Sequence, residues 1–234
     1  MEKREIEIRR NVVERALMAS RDYIVRHRRY FIYGAAGLLA AIVLAVGGFV
    51  YYESREQKEL AVFEKILYDY QTSAVASETE KKDLLKKTAD ELEKVVGSSL
   101  WGYVHRNGYY IIGGLYYNEG MFEEAKGYYL KFARTSPGSF FAPLGLQQAA
   151  RSCEAMEKPA EALEIYKKLE KKYGKSVVAD QIFFDLGRLY LKQGDQFKAR
   201  EYYTRVMNEF PRSPFSQKAR ERLMLIGLSQ AKKP

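Results

Sequence analysis

The sequence has one cysteine, two histidines and six prolines among 234 residues. A lone Cys153 can close no internal disulfide, so no covalent framework builds this fold. His27 and His105 are far apart, and no HExxH, Cys-x-x-Cys or His/Cys cluster accompanies them. That removes the usual transition-metal sites. No G-x-x-x-x-G-K-S/T loop, G-x-G-x-x-G fingerprint or G-x-S-x-G elbow occurs. Cys153 has no matched histidine and reads as a small buried hydrophobe rather than a nucleophile. Acid pairs such as Glu123-Glu124 read as solvated helix surface. The expectation is a protein that is not an enzyme, with no catalytic residue, no metal, no cofactor and no small-molecule substrate.

Strand-like alternation is also missing, and with so few prolines the chain reads as all-α. At 47% hydrophobic and 29% charged it has the composition of a folded protein. The net charge of +9 is uneven. Lys3, Arg4, Arg9, Arg10, Arg15, Arg21, Arg26, Arg28 and Arg29 all precede residue 30, and "RHRR", 26–29, abuts an apolar run. A nucleic-acid binder would place a basic stripe on its folded domain instead, so no nucleic-acid partner is expected.

Charge is absent altogether from "FIYGAAGLLAAIVLAVGGFVYY", 31–52. A bilayer core takes about 20 apolar residues as a helix, and tyrosines at both ends suit the interface. A cleavable signal peptide would have a shorter apolar region and a small-residue cleavage site. The length and the Phe-Val-Tyr-Tyr ending favour an uncleaved single-pass transmembrane helix. The basic flank predicts a cytoplasmic N-terminus and an outer C-terminal domain. Before the span, Ile6, Val13, Leu17 and Ile24 share a face of residues 5–29, read as an amphipathic helix on anionic lipid or as a docking site for a partner.

The C-terminal half repeats itself. Ala125, Ala162 and Ala199 are 37 residues apart; Tyr129, Tyr166 and Tyr203 keep the same step, as do Pro137, Gly174 and Pro211, and Ser139, Ser176 and Ser213. A period in this range signals stacked supersecondary units. Each unit reads as two helices. Tyr109, Ile112, Gly113 and Tyr116 lie on the first, Gly120 makes the turn, and Phe122, Ala125, Tyr129 and Phe132 lie on the second before Pro137. Gly113 should make room for the Tyr129 and Tyr116 rings. Phe183, Leu186, Gly187, Tyr190, Gly194, Ala199, Tyr203, Val206 and Pro211 repeat the pattern. The middle unit, with Leu146, Ala149, Ala150, Cys153, Ala162, Tyr166, Leu169 and Gly174, lacks the first-helix glycine and the final proline. Upstream, Leu60, Phe63, Leu67 and Tyr70 share one helix face and Leu85, Ala89, Leu92 and Val96 another. No Gly or Pro interrupts 49–73, so the span is expected to run on into this hairpin; a helix over 31–72 would be about 60 Å long.

These residues resemble the tetratricopeptide repeat (TPR) family, with a period somewhat above the usual spacing of about 34. The resemblance covers residues 106–229 and implies an α-solenoid of antiparallel helix pairs. The expected organisation is a cytoplasmic basic segment (1–30), a transmembrane helix (31–52), a degenerate first hairpin (53–105), three TPR-like repeats with a capping helix (106–229) and a tail (230–234). In this family the concave side takes an extended peptide or a partner helix. The family register puts Asn107, Tyr110, Tyr117 and Asn118 there in the first unit. It puts Gln147, Arg151 and Glu154 there in the second, and Gln181, Phe184, Arg188 and Lys192 in the third. The convex face or the edges are the alternative binding surface. The lysine and asparagine clamp of chaperone-binding TPR domains is not reproduced.

An N-terminal anchor followed at once by a TPR domain resembles the YfgM type of bacterial envelope protein, though with a more basic N-terminus. That resemblance implies a protein of the bacterial inner membrane with its C-terminal domain in the periplasm. It also implies protein partners, including subunits of a membrane complex, and an accessory role beside the Sec translocon and periplasmic chaperones. The alternative is a structural subunit of a large envelope assembly, such as a flagellar motor collar or a cell-division scaffold; an enzyme with an unrecognised site is a third.

Overall fold

The computed structural model describes residue 14 and residues 16–231, apart from 75, 76, 136 and 177, with side chains as far as residue 228. Ile6 and Val13 of the amphipathic face, and Lys3, Arg4, Arg9, Arg10 and Arg15 of the basic flank, lie outside the described residues. Most of the described residues are helical, with no strand among them. Contacts divide the chain into Met1–Gln57 and Lys58–Pro234.

In the first unit residues 16–26 are helical. A turn at His27, whose backbone amide donates to the Tyr23 carbonyl at 3.0 Å, precedes α1 (Arg28–Thr72). The apolar run of α1 is exposed: Leu38, Leu44 and Phe49 keep 64%, 76% and 67% of their surface. Burying a large aliphatic side chain stabilises by about 1.5–3 kcal/mol, and no protein surface collects that gain here. α1 is long and apolar enough to cross a membrane.

The second unit begins within α1. Phe63 is buried, and Leu60, Ile66, Leu67 and Tyr70 pack against the core beside it. α2 (Glu78–Ser98) follows. The Ser77 hydroxyl caps it by accepting from the Glu80 amide at 3.2 Å, satisfying a donor that the first turn leaves unpaired. The predicted stripe Leu85, Ala89, Leu92 and Val96 is buried, joined by Thr88.

Three hairpins come next: α3 (Gly102–Asn118) with α4 (Phe122–Thr135), α5 (Ala142–Ala155) with α6 (Pro159–Tyr173), and α7 (Ala179–Lys192) with α8 (Gln196–Glu209). α9 (Pro214–Ala231) packs on α8 and α7, burying Ala219 and Ile226. From α2 to α9 each helix packs on its neighbours in sequence, as in a solenoid. The middle hairpin forms although its sequence pattern is the weakest.

The repeat columns are the core. Ala125, Ala162 and Ala199 are fully buried, as are Tyr166 and Tyr203, with Tyr129 nearly so. The small residue lets the two helices of a pair approach, and the tyrosine ring four residues later fills the space over the first helix. Above that ring stands Gly113 or Gly187. A Cβ added there would lie 2.9 Å from the Tyr129 ring or 2.8 Å from the Tyr203 ring. Tyr116 does not share this contact, contrary to the sequence expectation. It stacks on Tyr128 instead, with centroids 5.4 Å apart, and Tyr190 repeats the stack on Tyr202 at 5.6 Å. The turn glycines Gly120 and Gly194 have φ of 72° and 83°, the left-handed region that glycine enters without penalty.

Candidate functional site: the faces of the first helices

Residues assigned to the concave side come from α3, α5 and α7, and the structure sorts them into two groups. One group is turned to other protein atoms. Gln147 is buried and donates from Nε2 to Asp185 Oδ2 at 2.9 Å. Arg188 forks onto Glu154, with Nη1 to Oε2 at 2.6 Å and Nη2 to Oε1 at 2.8 Å, and reaches Asp185 Oδ1 at 3.4 Å. The Tyr166 hydroxyl donates to Glu154 Oε1 at 3.3 Å from α6. Phe184 is buried against the rings of Tyr203 and Phe215, 5.5 and 5.4 Å away.

The other group reaches solvent. Asn118 and Lys192 are exposed, and Asn107, Tyr110, Tyr117, Arg151 and Gln181 are half-buried. Asn107 Nδ2 donates to the Tyr103 carbonyl at 3.1 Å. The Tyr110 ring lies against Tyr129 and Phe132, and its hydroxyl accepts from Gln148 Nε2 at 3.4 Å. Tyr117 meets Phe122 edge-on at 5.1 Å.

Sequence reasoning missed Asp185 and Tyr166 as members of the polar network. Asp185 follows two core phenylalanines on α7 and is itself buried. Its only local sign is the Arg188 three residues on, one helical turn away. Burial raises its pKa above the ordinary carboxylate value, against the lowering effects of Arg188, the Gln147 hydrogen bond and Arg151. The hydrogen bonds that Arg188 donates to Glu154 raise its pKa, opposed by burial.

A group whose pKa is raised on folding adds stability that is complete below its unfolded value, about 3.9 for Asp. That stability is lost as pH rises through the folded value. Asp185→Asn removes the titration, so the variant gains relative to the parent between pH 4 and pH 7. Urea midpoints of both proteins at the two pH values test this; a constant difference would show that folding does not raise the Asp185 pKa.

Cys153 is fully buried on α5 and its thiol is pushed up to about 11, chiefly by burial. A thiolate is the reactive species, so folded protein at pH 8 should resist iodoacetamide and react only after denaturation. Rapid labelling of the native protein, followed by mass spectrometry, would contradict the burial.

Sequence profiles of the tetratricopeptide repeat match residues 107–138 and 181–213. The chain therefore carries TPR repeats in its first and third units. The fold is similar to a putative kinesin light chain from Podosopora anserina with nearly identical TPR-like repeats (16% identity, 76% of this chain and 96% of that one, TM-score 0.46). It is also similar to BtubC from P. vanneervenii (13% identity, 78% and 93%, TM-score 0.46). A third is YrrB, described as a TPR protein with an unusual peptide-binding site (15% identity, 61% and 86%, TM-score 0.29). No curated protein matches the sequence.

Proposed function

We propose that this protein is a membrane-tethered scaffold whose TPR solenoid holds protein partners beside a membrane complex. The observation that carries the reading is the pairing, in one chain, of an exposed apolar helix with a repeat domain. TPR domains bind peptides or protein partners, and the tether restricts the search to a surface. The basic flank before residue 30 supports a cytoplasmic N-terminus and a domain on the periplasmic face of a bacterial inner membrane. The architecture supports an accessory role near the Sec translocon and periplasmic chaperones, and a non-enzymatic one.

In vivo cross-linking followed by mild-detergent purification tests this. Recovery of translocon and chaperone subunits is expected. A fixed stoichiometry inside a motor- or division-sized assembly would replace the adaptor with a structural subunit. For the binding face, Tyr117→Ala combined with Lys192→Glu should lower partner recovery while the helical signal stays constant. Arg188 is unsuitable for this test because it holds Glu154 and Asp185. Unchanged recovery would move the interface to the convex face or an edge.

A further inference from the structure

Successive helices of the solenoid run antiparallel, so its connections fall on two opposite edges. The turns at 73–74, 119–121, 156–158 and 193–195 lie on one. Hydrogen bonds between their neighbours confirm the grouping: Tyr70 to Glu119 at 3.4 Å and Lys158 to Glu123 at 3.0 Å. The junctions at 99–101, 137–141, 174–176 and 210–213 lie on the other. There Tyr173 donates to the Pro137 carbonyl at 2.8 Å, and Ser213 to Asp180 at 2.5 Å.

The two edges differ in chemistry. The turn edge carries Glu119, Glu157 and Asp195 against one cation, Lys158. The junction segments contain no carboxylate, and they carry Lys175 and Arg212. They also expose large apolar side chains: Leu100 at 65%, Trp101 at 47%, Phe140 at 63% and Phe141 at 51%.

α1 enters the solenoid at this same edge. Ser99 Oγ donates to Glu59 Oε2 at 2.6 Å, which ties the Leu100-Trp101 junction to the start of the domain. Glu59 is seven residues past Tyr52, the end of the apolar run. Seven residues reach at most about 25 Å, and about 10 Å along a helix. Trp and Tyr favour the membrane–water interface, and Lys and Arg favour anionic headgroups.

We infer that the junction edge of the solenoid rests on the bilayer surface, with Leu100, Trp101, Phe140 and Phe141 in the headgroup region. This deepens the tethered-scaffold reading and rests on it. With that edge down, the turn edge faces away from the lipid, and the faces of α3, α5 and α7 stand across the membrane plane.

Trp101 is the chain's one tryptophan, so it reports alone. The full-length protein is placed in nanodiscs of phosphatidylcholine and phosphatidylglycerol, with or without lipids brominated near the headgroup end of the acyl chain. Trp101 emission should fall by about two-fold, as for an interfacial indole. Trp101→Phe with Phe141→Trp should be quenched similarly, and Trp101→Phe with Gln193→Trp on the turn edge should not. Unquenched Trp101 in protein that stays in the bilayer would overturn the edge assignment alone and leave that surface to a protein partner. Equal quenching at residue 193 would overturn it too. Release of the protein by an alkaline carbonate wash would overturn the tether, and the edge assignment with it.

Discussion

Gly187→Val is expected to destabilise the solenoid by about 3 kcal/mol, the upper range for overpacking a filled core. The new Cβ alone would lie 2.8–3.2 Å from three atoms of the Tyr203 ring, and that ring is fully buried with nowhere to retreat. The branched γ-carbons add to the conflict. Gly187→Ala brings the same Cβ contact without the branched carbons, so it should also destabilise, by less, and the helix-propensity gain of up to about 1 kcal/mol offsets only part of that cost. Thermal unfolding of the full-length protein in mild detergent, followed by circular dichroism, measures the effect. Tyr203→Leu should recover part of the loss in a Gly187→Val background, because it removes the ring the valine strikes. Strict additivity of the two changes would show that this contact is not the cause. Tyr203→Phe sharpens the test. Among the described residues the buried Tyr203 hydroxyl has no hydrogen-bond partner, and such a group costs about 1–3 kcal/mol. The phenylalanine variant should therefore be at least as stable as the parent.

The second large effect is expected at Arg188. Glu154 and Asp185 keep 12% and 7% of their side-chain surface, and Arg188 is the cation bonded to both. Removing one partner of a buried pair leaves an uncompensated charge and typically costs about 3–5 kcal/mol. Arg188 is itself 35% exposed, which places Arg188→Met near the lower end of that range through solvent screening. Combining it with Glu154→Gln and Asp185→Asn should restore much of the loss, since no unpaired charge then remains. An unchanged unfolding midpoint for Arg188→Met would return Arg188 and Glu154 to the set of side chains available to a partner. The same fork clamps α5 to α7 across the repeat boundary, so it sets the spacing of the faces that Arg151 and Lys192 occupy.

Two kinds of feature were legible in the sequence. The helix pairs and their core columns were, because a stacked array asks the same question of every unit and answers it with the same residues. Ala125, Ala162 and Ala199 sit where pairs of helices cross, and any larger side chain would force them apart. The charge-free run at 31–52 was legible because an apolar helix long enough to cross a membrane is a matter of length and composition rather than of partners. The polar side chains of the first helices were not. Tyr110, Gln147 and Phe184 share one column of the repeat, yet Tyr110 is half-buried against α4, Gln147 is committed to Asp185, and Phe184 lies against Tyr203 of α8 and Phe215 of α9. Position in a repeat gives the direction of a side chain, and the neighbour 34–38 residues away decides whether it is free.

By itself the sequence determined the period, the pairing of helices, the turns at Gly120 and Gly194 and the apolar span, since each follows from spacing or composition along the chain. Only the tertiary structure decided that Tyr116 stacks on Tyr128 while Tyr129 fills the space under Gly113. Only it placed Arg188 in an internal ion pair and gathered Leu100, Trp101, Phe140 and Phe141 on the edge where α1 enters. Those outcomes depend on which side chains meet across repeat boundaries, and the free energy of a buried charge or an exposed ring is fixed by what surrounds it in space.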